Sequence, residues 1–479
     1  MAALHRNLIA GEWVEGVSVS RNVNPSNTGD IVGEYAQADA VQTDAAIAAA
    51  RSAFPRWSRT TPQERHDLLA RVSAEIFARR DELGRLLARE EGKTLPEAVG
   101  EVARAGQIFD FFADEALRIP GETFASVRPN VVVEATREAV GVIGVIAPWN
   151  FPIAIPAWKI APALAYGNTV VFKPADLVPG SAHALAEIID RAGAPEGVFN
   201  LVMGRGSVVG EAMLASKAVD AVTFTGSVAT GRRVAAACAG AMRKFQLEMG
   251  GKNPLVVLAD ADIPGAVECA VNGAYFSTGQ RCTASSRLIV EETIYRRFAE
   301  ALTARMQKLV VDEALAAGTH IGPVVDGSQL DQDLAYVAIG RSEGAKLALG
   351  GERLERAAPG FYMAPALFLD ADNAMRIARE EIFGPVAAMI PARDYDDALA
   401  IANDTSFGLC AGICTASLKH ATHFKRNAEA GMVMVNLPTA GVDYHAPFGG
   451  RKGSSLGPRE QGRYAAEFYT TVKTAYTLA

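Results

Sequence analysis

The sequence contains no uninterrupted apolar run near the roughly 18 residues of a membrane-spanning helix, and its opening, MAALHRNLIAGEWVEG, holds no apolar segment of secretory length. It has no basic excess: 47 Lys and Arg against 54 Asp and Glu leave a formal charge of −7. That excludes the basic field on which nucleic-acid binding depends. Only 5 cysteines occur in 479 residues, and no C-x-x-C. They are too scattered for a disulfide framework. Cys410 and Cys414 precede His420 and His423, but those histidines stand among lysine and arginine in KHATHFKRNAEAG. That pattern is a solvated helix face, so no metal site is expected. A dinucleotide fingerprint G-x-G-x-x-G is also missing; GRGSVVG, Gly204 to Gly210, has one residue too many between its last two glycines. What remains is a soluble, cytoplasmic, enzyme-sized protein without a membrane or nucleic-acid partner.

What is present is alternation. After GEWVEG the chain reads as helical for about a hundred residues, with helices expected over VQTDAAIAAARSAFPRWSR, over TPQERHDLLARVSAEIFARRDELGRLLAREEG and from about Leu95 to Asp114. SVRPNVVVEATREAVG then mixes β-branched and charged residues, as in an exposed strand pair turning at Pro129-Asn130. From VIGVIAPWNF onward strands and helices alternate, the pattern of a mostly parallel sheet covered by helices. A second alternating series starts near Leu255, with a helix expected across AVECAVNGAYFSTGQRC. Two α/β lobes with a break near Gly250-Gly251 are the simplest division.

TGQRCTASSR raises the chemical question. Cys282 in this stretch is either a buried core thiol or a nucleophile, since a thiolate can add to an sp2 carbon. Gly279 permits close backbone approach, and the Cys282 N–H could hold an oxyanion. Glu248, in QLEMGGKNP, is an acid in an apolar run, costly to bury unless needed or paired. PWNF (Pro148 to Phe151), Lys173 just past TVVF, and FTGS (Phe224 to Ser227) each follow an expected strand, where open parallel sheets bind ligands. FTGS also opens a helix, whose first N–H groups suit a pyrophosphate. Taken singly, each is equally a tight turn, and Glu248 equally a structural ion-pair partner.

Together, PWNFP, FKPAD, FTGS, LEMGGKNP, GQRCT, EEIFGP and PFGGRKGS, in this order across nearly the whole chain, closely resemble the aldehyde dehydrogenase superfamily. The resemblance implies an α/β fold: a Rossmann-type cofactor domain (1–118 and 138–250), an α/β catalytic domain (251–447) and a small β oligomerisation arm (119–137 and 462–479), with 448–461 connecting. It implies Cys282 as nucleophile, Glu248 as general base, and Asn150 with the Cys282 N–H as oxyanion donors. It implies NAD or NADP held by Lys173 and Asp176 at the adenosine ribose, Gly226 and Ser227 at the pyrophosphate, Glu381 at the nicotinamide ribose, and Phe383, Trp149 and Pro148 nearby. The family's cofactor domain lacks the usual glycine fingerprint, in keeping with the near miss above. Coenzyme-A-dependent members lack a glutamate at the place of Glu248, so a free acid is the expected product. A homodimer or dimer of dimers is implied as well.

The tail NLPTAGVDYHAPFGGRKGSSLGPREQG, from Asn436, with TGQRCTASSRLIV, resembles the α-ketoglutaric semialdehyde (2,5-dioxopentanoate) dehydrogenase branch, which tends to prefer NADP. Arg281 is then the expected reader of the substrate's carboxylate, with Phe151 and His445 beside it. Many semialdehyde-acid dehydrogenases carry arginine eight residues beyond the asparagine, whereas this chain has Trp158 followed by Lys159. Succinate semialdehyde and broader aliphatic or aromatic aldehydes are the alternatives. Asp176, where NAD-preferring members commonly place glutamate, leaves more room for a 2′-phosphate, which Lys173 can neutralise. NADP is expected ahead of NAD.

Overall fold

In the computed structural model, which describes residues 4–478, two large sheets take up most of the strands. The first runs Ser455–Leu456, Lys244–Glu248, Ala221–Thr225, Val142–Ile146, Thr169–Lys173, Phe199–Leu201, Asn7–Ile9 and Glu12–Val14. Its five central strands, Lys244–Glu248 to Phe199–Leu201, pair in parallel. VIGVI, TVVFK and AVTFT are almost wholly buried, as strands covered on both faces must be. The second sheet runs Lys346–Leu349, Ala366–Leu369, Val386–Ala392, Arg287–Glu291, Pro254–Val257, Cys410–Cys414 and Met432–Val435. The chain passes from one sheet to the other between Glu248 and Pro254, across the expected Gly250-Gly251 break. These are the two α/β lobes that the alternation suggested, the first of them the Rossmann-type domain that the resemblance implied.

Three local expectations are corrected. The segment after GEWVEG is not helical at once, because Ser18–Val23 and Ile31–Gln37 pair as antiparallel strands before the first helix, Ala40–Trp57. The long helix from Pro62 splits at Arg79 into Pro62–Ala78 and Arg80–Glu91. Its start is fixed locally: Thr61 and Glu64 form a reciprocal capping box. Finally, the helix expected to run through Cys282 ends at Tyr275. Ser277, Thr278 and Gly279 then take left-handed φ values of 50°, 57° and 67°.

The arm is a three-stranded antiparallel sheet, Thr470–Leu478 on Val131–Ala139 on Glu122–Ala125. Nine residue pairs join the first two strands. Residues 463–469 are not strand but short helical turns, with Phe468 and Tyr469 buried in the first domain's core. No helix among the described residues is long and apolar enough to cross a membrane.

Candidate active site

The parallel pairing puts the functional strand ends in one row. Ile146 lies opposite Lys173 and Phe224, and Thr225 lies opposite Glu248. Loops leaving these ends carry Pro148, Trp149, Asn150, Gly226 and Ser227 to one side of the sheet. There they line a cavity of about 430 Å³ with Ile155, Thr225, Met249, Gly250, Cys282, Gln329, Gln332, Glu381 and Phe383. A larger surface cleft, about 930 Å³ and lined by Arg56, Glu64 and Arg71, contains none of these groups.

Cys282 is positioned by constraint rather than by a regular element. Thr278, β-branched and left-handed, is a costly conformer of the kind that neighbours must over-determine. Its Oγ1 donates to Gly322 O (3.1 Å), while the Ser277 N–H and hydroxyl donate to Glu97 Oε1 at 2.8 and 3.0 Å. At Gly279 a Cβ would stand 2.2 Å from Gly384 O, so the close approach inferred from sequence is an approach to the EIFGP loop. Asn253 Nδ2 donates to the Cys282 carbonyl (2.7 Å). Burial pushes the Cys282 thiol up, and Glu381 and Glu248 push it further, so the resting group is a neutral thiol.

The Asn150 amide donates to Gln280 O at 2.9 Å, tying the asparagine loop to the nucleophile loop. Behind it, Lys93 Nζ donates to Asn150 O (2.8 Å) and Glu101 Oε2 (2.6 Å) and lies 3.8 Å above the Phe151 ring. The other Glu101 oxygen accepts from the Ile153 and Ala154 amides. Sequence reading missed Lys93, Glu97 and Glu101; the signal for the two glutamates was acidic residues four apart within the apolar helix Leu95–Ala116.

Glu248 is fully enclosed. Ser455 Oγ donates to its Oε2 at 2.5 Å, and a Cβ at Gly449 would come within 2.8 Å of its Oε1. PFGGRKGS and the Ser455–Leu456 strand that follows it thus wrap the carboxyl, the strand pairing with Leu247 and Glu248. Burial, then repulsion from Glu460, raises the Glu248 carboxyl well above its ordinary range. Glu460 forms a buried ion pair with Lys159, which also donates to Thr223 Oγ1 (2.9 Å); that hydroxyl reaches Gln246 Oε1 at 2.6 Å. Nothing in the local sequence marked Glu460 as part of this group.

Glu381 is folded against the glycine pair: its Oε1 accepts from the Gly251 N–H (2.7 Å), and a Cβ at Gly250 would meet its Oε2 at 2.2 Å. Burial raises its carboxyl to about 7. Phe383, left-handed at φ 66°, meets Trp149 edge-on at 5.3 Å. Gln329 and Gln332 both donate to Ile382 O, fixing that loop. Ser227 caps the helix Val228–Gly240 through the Thr230 N–H, and Lys173 Nζ lies 2.9 Å from Asp176 Oδ1. The buried Thr225 hydroxyl in the cavity wall has no protein partner. A helix start, a strand-end lysine, side-chain-free Gly226 and Gly250, and an orphaned hydroxyl fit a dinucleotide.

Two expected substrate contacts lie elsewhere. Arg281 turns its guanidinium to the Asn272 carbonyl and is not among the residues of the Cys282 cavity; the left-handed turn before it leads the side chain back to the preceding helix, Ile263–Tyr275. His445 is exposed and packs on Tyr444. Trp158, by contrast, is buried and meets the Phe448 ring at 5.3 Å, and Phe448 belongs to the apolar group on which Cys282 packs.

A dinucleotide fold with a cysteine at the strand ends defines an oxidoreductase acting through a thiol. The aldehyde dehydrogenase family model matches residues 13–475, and the chain belongs to that family. It is 44% identical to an α-ketoglutaric semialdehyde dehydrogenase of Bacillus subtilis, across 98% of this chain and 97% of the relative. The solved betaine aldehyde dehydrogenase of Staphylococcus aureus in complex with NAD+ superposes with a TM-score of 0.96 at 34% identity, covering 99% of this chain and 94% of that one. An NADP-dependent enzyme of Escherichia coli gives 0.96 at 36%, covering 99% and 98%. The protein is an NAD(P)-dependent, aldehyde-oxidising enzyme that works through a cysteine.

Proposed function

We propose that Cys282, its thiol proton released to solvent, adds as the thiolate to the aldehyde carbon while Asn150 Nδ2 and the Cys282 N–H hold the developing oxyanion. NAD(P) held beside Cys282 would supply the hydride acceptor, and the adduct on Cys282 would then be an acyl thioester. Glu248 then takes a proton from the water that hydrolyses the thioester, and a free acid leaves. Lys173, Ser227 and Glu381 would hold the cofactor's ribose and phosphate groups. NADP ahead of NAD is supported by Asp176, whose short side chain is drawn to Lys173 at 2.9 Å, leaving space at the ribose. The arm supports a homo-oligomer, dimer or dimer of dimers, and the lack of a spanning helix among the described residues is compatible with the cytoplasm.

For the substrate, the broader reading has the wider support: a small aliphatic or aromatic aldehyde, succinate semialdehyde included. Trp158 and Phe448 supply apolar walls, and the betaine aldehyde dehydrogenase superposes over nearly the whole chain. Within that range we propose 2,5-dioxopentanoate, oxidised to 2-oxoglutarate. The observation that carries it is the 44% identity to the Bacillus subtilis semialdehyde enzyme. The test is kcat/KM for 2,5-dioxopentanoate, succinate semialdehyde, benzaldehyde and hexanal, each with NAD and NADP. A preference for the five-carbon acid supports the narrow reading; a preference for hexanal or benzaldehyde rejects it.

A further inference from the structure

The helix Leu95–Ala116 turns one stripe to the catalytic loops. Glu97, Glu101, Arg104 and Phe111 lie four, three and seven residues apart, the spacing of a single helix face. Glu97 holds Ser277, Glu101 holds the Ile153 and Ala154 amides, and the Phe111 ring meets Tyr444 at 6.2 Å. Between them, Arg104 Nη1 donates to the carbonyl of Val442. Val442 packs on the apolar group of Leu409, Cys410 and Phe448, against which Cys282 also packs. Arg104 therefore stands at the loop on the Phe448 side of the nucleophile, away from the Ser227 and Phe383 walls.

Its second feature is a missing partner. A guanidinium offers five donors, and half-buried Arg104 has a protein acceptor for only one of its nitrogens. It forms no ion pair among the described residues; Asp443 and Glu101 act on it only at longer range, and burial weakens its hold on charge. Of the other cations near the site, Lys93 holds Glu101 and Lys159 holds Glu460. Arg281 and Arg459 each donate to one carbonyl, Asn272 O and Gly450 O; the Arg281 Nε is buried without a partner, but Arg281 lines a small cavity with Glu381, Phe383 and Gly384, away from Val442 and Phe448. Lys252 has an unpartnered Nζ but lines a separate small cavity with Asn403 and Thr405.

We propose that Arg104 is the specificity-determining cation that binds the distal carboxylate of an ω-oxo acid whose aldehyde end lies at Cys282. This rests on the semialdehyde reading above and assigns to Arg104 the role expected of Arg281. A carboxylate matches the free fork of the guanidinium, and the Trp158 and Phe448 rings suit the methylene stem between the two ends.

The test compares the unmodified enzyme with Arg104→Met, Arg104→Lys and Arg281→Met on 2,5-dioxopentanoate, succinate semialdehyde and pentanal. The unmodified enzyme is expected to favour the acids. Arg104→Met should lower kcat/KM for both acids at least about tenfold, mainly through KM, as loss of a charge-assisted contact implies. Pentanal should change less than about threefold, which also shows that the variant folds; Arg104→Lys should fall between. Glutarate should inhibit the unmodified enzyme competitively and Arg104→Met at least about tenfold more weakly. If the unmodified enzyme favours acids while Arg104→Met changes kcat/KM for the acids and for pentanal by the same factor, or Arg281→Met alone shows the selective loss, the Arg104 assignment is overturned and the substrate reading stands. If the unmodified enzyme favours pentanal, the substrate reading fails and the assignment with it.

Discussion

Lys93 Nζ lies 2.6 Å from Glu101 Oε2, both side chains being 1% exposed, and the same ammonium donates to the carbonyl of Asn150 at 2.8 Å. One buried pair therefore sets the loop that carries the oxyanion donor. Lys93→Met would leave Glu101 buried without its counter-ion, at a cost of about 3–5 kcal/mol. Urea unfolding should show that loss, and Lys93→Met/Glu101→Gln should recover part of it. In the folded double variant kcat should fall while the KM for NAD(P) holds, because only the asparagine loop has been freed.

Glu248→Gln should retain a burst of one reduced nicotinamide per site and then stall, with the steady rate lower by about 10²–10⁴. Stopped-flow absorbance reads both phases. The Glu248 carboxyl is raised by burial, so it is the ionised base only towards higher pH, and thioester hydrolysis in the unmodified enzyme should accelerate as pH rises. A variant without a burst would put the glutamate earlier, at thiol activation.

Two glycines with positive φ separate strain from collision. Gly193, at φ 88°, has nothing within 4 Å of an added Cβ, whereas at Gly279, φ 67°, the Cβ would be 2.2 Å from Gly384 O. Gly193→Ala should cost about 1 kcal/mol, from backbone strain alone. Gly279→Ala should cost more in thermal unfolding and, by moving the loop of Cys282 against that of Phe383, lower kcat/KM at least about tenfold.

Asp333 couples stability to pH. Its Oδ1 accepts from Gln329, its Oδ2 has no partner, and burial raises its carboxyl from 3.8 to about 8. The folded chain keeps this proton where the unfolded chain loses it. Its contribution is thus whole below pH 3.8 and is lost progressively as pH rises through about 8, at about 1.4 kcal/mol for each pH unit crossed between those two values. Asp333→Asn should raise the melting temperature at pH 8 far more than at pH 5.

The edge strand Thr470–Leu478 leaves Val472, Tyr476 and Leu478 59%, 63% and 73% exposed. An open apolar edge of this kind is covered by another chain or aggregates. Light scattering should show an oligomer at micromolar concentration, and Val472→Lys/Tyr476→Lys should shift it towards monomer while leaving the melting of each subunit nearly unchanged.

The amino-acid sequence determined the local patterns: buried valine-rich strands, the Thr61–Glu64 cap, and the loops that carry Asn150, Ser227, Glu248 and Cys282 at strand or helix ends. These are set by neighbours a few residues away, so periodicity and short motifs expose them. Tertiary structure decided what depends on distant partners. Lys93 and Glu101 meet Asn150 only because a helix packs across the loop, and Lys159 meets Glu460 across 301 residues of chain. Arg281 stands beside Cys282 in sequence yet turns away, because Ser277, Thr278 and Gly279 are left-handed. Arg104, 178 residues before Cys282 in the chain, instead reaches the loop that packs beside it. Side-chain direction follows from φ and from packing, and neither is written in the order of neighbouring residues.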